Sequence, residues 1–541
     1  MSVERKQRQN VSDRIAARLR TTRFGRQASR VSTELRRRVV PNHLTNLFGV
    51  VTAACVVMLF GTGLVLMFFY TPSNEVVTYE GSYAPLHGAE VSKAFASTMQ
   101  VTFDVPGGLL VRQAHHWAAL LLPAAVILQM LSIFFTGGFR RPRRAAWVLL
   151  FLVFVSALAA GWSGYALPDD MLSGTGLRIV EGIVLAIPFI GTPVSRLLFG
   201  GEFPGNVLAN LYPLHLVASV ALVALLVVRG VLWLRHRSPQ FRGSGRSESR
   251  VVGIPLVPNA ARRGLGLGLI VSGILVLISA TVTISPIWLY GPASPGDAGA
   301  GSQPDWYTGF LDGALRLVPP GWEFVWLDRT WTLALLVPLA VITVGLAVVA
   351  VYPFLEEWIT DDHRDHHLLD RPRDTPSRTG IGVAGLTFFG VLWLAGSADL
   401  VAVAFSLTIE TVVATLQVAV LIGPVIAFEL TRRVCLGLQR KDREIVLHGF
   451  ETGRIVRLPG GEYIEVHQPV DDDERARLTG VVDPRPELLR PDERGRITPA
   501  RRLRVRLSRF FFEDRIVRPV APAELEPQVA EPRPHEVSAA S

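Results

Sequence analysis

Twelve histidines are spread along this 541-residue chain. Three of them, His115, His116 and His215, lie inside runs apolar enough to cross a membrane. An ionisable ring is costly there, so a functional role is the first reading. His115 and His215 each stand near the same end of their runs, at similar depth. Two neutral imidazoles facing each other across a helix bundle could hold one haem iron from both sides. The other reading is a pair of interfacial histidines hydrogen-bonded to loops, and spacing alone leaves both open. His116 is about 100° round the helix from His115 and is expected to pack or to hydrogen-bond. Fourteen residues after His115 stands Gln129, on nearly the same face and about 21 Å further along.

Other residues could also do chemistry. The loop Pro304-Asp305-Trp306-Tyr307 places one carboxylate beside two aromatic side chains. A carboxylate can take a proton from a bound hydroxyl, although a loop acid beside aromatics is a common arrangement. The stretch DDHRDHHLLDRPRD (361–374) holds three histidines. Metal binding is conceivable there, but a solvated or partner-facing segment is the expected reading. Gly49 and Gly63, fourteen apart, and Gly164 lie in apolar runs. Glycine there permits close approach of a backbone or a flat macrocycle, and equally serves ordinary helix packing. Only two cysteines, Cys55 and Cys435, are present, so no disulfide framework is expected.

Eight apolar runs must position these groups: roughly 45–70, 109–135, 145–165, 208–235, 264–289, 331–353, 380–397 and 402–430. Each is long enough for a ~30 Å hydrocarbon core. The fold class expected is an all-α polytopic membrane protein. Loop 136–144 carries four arginines and no acid, and 235–263 carries seven arginines against one glutamate. Loop 71–108 is acidic, with Glu75, Glu80, Glu90 and Asp104 against Lys93. The positive-inside rule therefore expects both termini in the cytoplasm of a plasma-membrane protein. The net charge of +9 follows from these loops and does not call for nucleic acid as a partner.

The organisation expected is a basic cytoplasmic tail (1–40), a first four-helix domain (41–240) and a second four-helix domain (241–435). A short ordered cytoplasmic extension (436–470) follows, with a hairpin near Pro459-Gly460-Gly461. The tail 471–541, rich in Pro, Arg and Glu, is expected to be disordered. The first 40 residues hold eleven arginines, one lysine and no apolar run, so they do not read as a cleavable signal peptide.

The motifs GYALPDDMLSGTG (164–176), AIPFIGTPVSRLLFGG (186–201), YPLH (212–215) and PDWY (304–307) occur in this order. So do the YPFLE…RPRD stretch (352–374) and the GLQR…HQP extension (437–469). Together they resemble the cytochrome b subunit of respiratory quinol–cytochrome c reductases, in the actinobacterial menaquinol-using form, over about residues 38–470. The resemblance implies eight transmembrane helices, the first four forming a haem-binding bundle around two stacked b haems. It implies menaquinol as substrate, with a Rieske iron–sulfur subunit and a cytochrome c subunit as partners in a dimeric complex. The outer haem would take His115 and His215 as axial ligands, with Arg112, Gly63 and Gly164 beside it. Asp305 and Tyr307 would serve the outer quinol site, with Pro304, Trp306, Leu167, Pro168, Asp169 and Asp170 around it.

The inner haem's positions depart from the family pattern. Gln129 stands where one ligand is expected and Arg229 or Gly230 where the other is, and neither Gln nor Arg is an ordinary haem ligand. Leu150 replaces an inner glycine, and of that set only Gly49 remains. The expectation is one haem b where the family has two. The chain would then be a quinol–cytochrome c reductase component whose electron path stops at the outer haem. The alternative expectation is a non-catalytic or specialised scaffold paralogue that cannot run a Q cycle.

Overall fold

The computed structural model describes residues 22–201, 206–294, 303, 305–479, 486, 488–489 and 497–512. Eight helices are long and apolar enough to span a membrane: Leu44–Met67, Gly108–Phe135, Arg144–Ala166, Val207–Arg235, Leu256–Thr281, Leu333–Thr360, Pro376–Gly396 and Ile409–His448. Helix is the form these runs must take, because it satisfies the backbone within one segment where no water can. Large apolar side chains such as Val57, Val217 and Val344 are exposed along them, as a lipid-facing surface requires. The first span packs along the second, the third along the fourth, and the seventh along the eighth. Among the described residues, strands form only two-stranded pairs. The chain is thus an all-α multi-pass membrane protein.

Several boundaries differ from the sequence reading, each for a local reason. The fifth span ends at Thr281 rather than near 289. The next residues leave the helix because polar groups of the second span hold their backbone. Gln113 makes a two-way pair with Ile284, donating from Nε2 to its carbonyl and accepting from its amide, each at 2.9 Å. Arg112 donates to the Ser285 carbonyl at 2.8 Å, and Trp117 to that of Val282 at 3.0 Å. The eighth span was expected over 402–430. Instead a short helix, Ala398–Phe405, stops at Ser406 with φ 53°, and Thr408 caps a new helix that runs to His448. At 40 residues that helix is about 60 Å long, so its last turns project well beyond the bilayer.

The hairpin is present: Phe450–Arg457 pairs with Tyr463–Gln468, and Gly461 at φ 93° makes its turn. The tail does not match its expectation in the described parts, where Asp472–Leu478 and Pro499–Phe512 are helical. The second of these is held by burial of Val505, Phe511 and Phe512, which composition did not reveal. Arg23–Arg37 is likewise helical within the basic N-terminal segment.

The polar start of the seventh span is explained by packing. Arg378, 2% exposed, donates twice to Glu356, at 2.9 and 2.6 Å, and once to Asp370 at 3.0 Å. Arg140 reaches the same Asp370 at 2.8 Å. A buried cation and two carboxylates satisfy one another here, as burial of charge demands. This cluster closes the end of the bundle opposite His115 and His215.

Candidate functional site

The second span supplies His115 and the fourth His215. Their ring centroids stand 6.3 Å apart with the planes at 59°. Both rings are fixed through Nδ1. His215 Nδ1 lies 2.8 Å from the Ala160 carbonyl; a carbonyl only accepts, so Nδ1 carries the proton. His115 Nδ1 lies 2.9 Å from Thr62 Oγ1. The Thr62 hydroxyl proton is directed at the Met58 carbonyl, 2.7 Å away, so the threonine oxygen accepts from His115 Nδ1–H. Both Nε2 atoms therefore keep their lone pairs, the tautomer that a metal ligand requires.

The rings rest against two glycines. A Cβ at Gly63 would stand 3.2 Å from His115 Cε1, and one at Gly164 would stand 2.8 Å from His215 Cε1. A side chain at Gly164 would force the His215 ring to shift, and one at Gly63 would make the His115 ring give by a few tenths of an ångström. Arg112 adds a buried Nε without a partner, a donor available to an anionic group. These features fit a b haem. His115 and His215 would hold its iron through those free Nε2 atoms, one from the second span and one from the fourth.

The histidines open into a cavity of about 300 Å³ whose wall also includes His116, Leu167, Pro168, Asp305 and Tyr307. Residues from the two groups of motifs, some 190 positions apart in sequence, thus share one space. Tyr307 donates to Asp305 Oδ2 at 2.8 Å. Burial, reinforced by that carboxylate, holds the Tyr307 phenol well above its usual pKa, so it keeps its proton and acts as a donor. The other oxygen, Asp305 Oδ1, faces His116 Nε2 at 3.9 Å. Across the cavity Asp170 caps the helix Met171–Leu185 in a capping box with Ser173. Burial raises the carboxyls of both Asp169 and Asp170. Tyr70 Oη donates to the Leu167 carbonyl at 2.7 Å and fixes the turn.

Trp306 points away from Asp305: its indole donates to the Leu120 carbonyl at 3.2 Å, and its own carbonyl accepts from Trp393 at 2.8 Å. Pro304 lies outside the described residues. Three contributors escaped the sequence reading. Thr62 and Ala160 hold the imidazoles through a side chain and a backbone carbonyl. Gly161 lets Tyr307 approach, since a Cβ there would stand 2.5 Å from its hydroxyl. Only the glycine left a trace in sequence, as a second small residue three before Gly164.

The far half of the bundle is built differently. Cys55, Val126, Leu150 and Val153 are completely buried in one apolar cluster. Gln129 sits against Gly49, whose Cβ would lie 3.1 Å from its Nε2, and Gln129 Oε1 is buried without a partner. Arg229 has a buried, unpartnered Nε, while Gly230 is exposed with nothing within 4 Å of a Cβ.

Residues 120–292 match the family model described as cytochrome b (N-terminal)/b6/petB. The cytochrome bc1 complex cytochrome b subunit of Streptomyces coelicolor is 43% identical over 492 residues, which is 89% of this chain and 90% of that protein. The corresponding subunit of Mycobacterium leprae is 42% identical over 451 residues, 82% of this chain and 81% of that one. A solved chain of a hyperthermophilic respiratory Complex III superposes with a TM-score of 0.58 at 18% identity, covering 78% of this chain and all of that one, which bears on the fold. The chain belongs to the cytochrome b subunits of actinobacterial cytochrome bc1 complexes.

Proposed function

We propose that this subunit oxidises menaquinol in the cavity beside His115 and His215, holding one b haem there and none in the far half of the bundle. The observation that carries the reading is the pair of imidazoles with both Nε2 atoms free, opening on the same cavity as Asp305. A b haem, when bound, supplies a one-electron acceptor and relay. The protein's own part is to place quinol, to exclude water and to take protons. Asp305 Oδ1 is the base for a quinol hydroxyl, because Oδ2 is occupied by Tyr307. Leu167, Pro168 and the Asp169–Asp170 turn cover the ring. Both electrons of the quinol would leave one after the other to a Rieske iron–sulfur partner and on to a cytochrome c subunit, in a dimeric complex with both termini of this chain in the cytoplasm.

Three features support the single-haem reading. Leu150 fills the far pocket, Gln129 replaces an imidazole, and neither Arg229 nor Gly230 offers a ligand. Without residues to hold a second haem in the far half of the bundle, no electron would be returned inward, and the inward half of a Q cycle would be interrupted. Pyridine haemochrome quantitation of the purified chain is expected to give one haem b per polypeptide. Two would overturn the single-haem reading, and none in a folded chain would favour the scaffold alternative.

A second expectation concerns the support of His115. Replacing Thr62 with Val keeps the shape but leaves Nδ1–H without its acceptor. Loss of such an outer hydrogen bond is expected to weaken haem binding about tenfold to a hundredfold, read as faster haem transfer to apomyoglobin. An unchanged transfer rate would show that Thr62 does not hold the ring.

A further inference from the structure

We propose that the helix Pro499–Phe512 is a lipid-reading element that binds anionic phospholipid headgroups at the membrane surface opposite the histidine pair. The helix is docked along one side only. Val505, Ser508, Phe511 and Phe512 are buried, Ser377 Oγ donates to the Phe511 carbonyl at 2.9 Å, and Arg504 meets Asp361 at 2.6 Å. These contacts fix it to the ends of the sixth and seventh spans.

Its outer side is divided in two. Arg502, Arg506 and Arg509 are exposed and follow one another at helical spacings of four and three, so they form a single stripe. Among the described residues none of the three has a carboxylate within ion-pair distance. Beside the stripe, seven residues apart, Leu503 and Phe510 are 53% and 43% exposed. Water would not favour that apolar half, and hydrocarbon would not favour the arginines. A helix with both on one exposed side suits the boundary between headgroups and acyl chains.

The depth of the helix agrees. Phe510 stacks on Phe428 of the eighth span, with centroids 5.6 Å apart and planes at 16°. Phe428 is the last residue of that span's apolar run. Val425 and Ile426 before it are exposed apolar side chains, and Glu429, Arg432 and Arg433 follow. Phe510 is therefore level with the edge of the hydrocarbon, and the arginine stripe lies at headgroup height. Arginine forks match phosphate oxygens in pairs, so the chemistry selected is an anionic phosphodiester in the bilayer.

Purified full-length protein in neutral detergent is titrated with phosphatidylglycerol and phosphatidylcholine, and retained lipid is counted by native mass spectrometry. The wild-type chain is expected to prefer phosphatidylglycerol. The R502Q/R506Q/R509Q variant should lose its tightest-bound molecule, affinity falling about fivefold per arginine and roughly a hundredfold in total. An unchanged preference would overturn the proposal. A nitroxide on Leu503→Cys, in vesicles containing phosphatidylglycerol, gives a separate reading; the native Cys55 and Cys435 are buried. Collisions with oxygen should exceed those with a water-soluble nickel chelate. The reverse order, or protection from both probes by a protein partner, would equally overturn it.

Discussion

Replacing His115 with Ala is expected to abolish the entire b-type absorption of this protein while the chain still inserts and folds. The argument runs from the ring upward. His115 is the second span's contribution to a pair that only tertiary contact creates, and its Nε2 lone pair is kept free by the Thr62 acceptor. Alanine removes that nitrogen and leaves His215 alone on one side. No imidazole stands at the far positions of the bundle to hold a haem independently, so the loss should be complete rather than partial. Reduced-minus-oxidised spectra of the purified variant, beside His116→Ala as a control that keeps the absorption, make the measurement. Half the absorption remaining would place a second haem elsewhere in the chain and sink the single-haem reading. A full spectrum would sink the ligand assignment.

Replacing Asp305 with Asn is expected to slow menaquinol oxidation about a hundredfold to ten-thousandfold, the range over which a positioned base contributes. The substitution keeps the side chain's shape, and the Tyr307 hydroxyl can still donate to the amide oxygen. What disappears is the carboxylate proposed to take the quinol proton. The readout is the steady-state rate of cytochrome c reduction by menaquinol analogue in the assembled complex. The b-type spectrum should be unchanged, which separates loss of proton transfer from loss of haem. A rate within twofold of wild type, with haem intact, would remove Asp305 from the reaction.

The two results are linked by the shared cavity. His116 follows His115 by one residue, so its ring projects about 100° further round the helix. That rotation carries it away from the His115–His215 pair to the Asp305 side, where it faces Oδ1 at 3.9 Å. One turn of the second span thus addresses both halves of the cavity. The sequence reading expected His116 to pack or to hydrogen-bond but could not name a partner, because nothing local indicates which loop will fold over that face.

Sequence alone determined the number of spans and their approximate places, because twenty apolar residues in a row have no stable alternative to a membrane helix. It also determined which residue types are present at the far positions of the bundle, since Gln129 and Leu150 are plain in the primary structure. Proximity across sequence was decided only by the tertiary structure. The Ala160 carbonyl becomes an imidazole's partner, and Gly161 becomes a berth for Tyr307, through helix packing that no periodicity encodes. The same holds where polar side chains override an apolar run. The fifth span stops at Thr281 because Arg112, Gln113 and Trp117 offer its continuing backbone better partners than another helical turn. The composition of residues 471–541 pointed to disorder, yet Pro499–Phe512 is ordered by four side chains buried against spans more than a hundred residues earlier. Burial is a property of the assembled surface, and a short amphipathic stretch cannot announce the surface that will receive it.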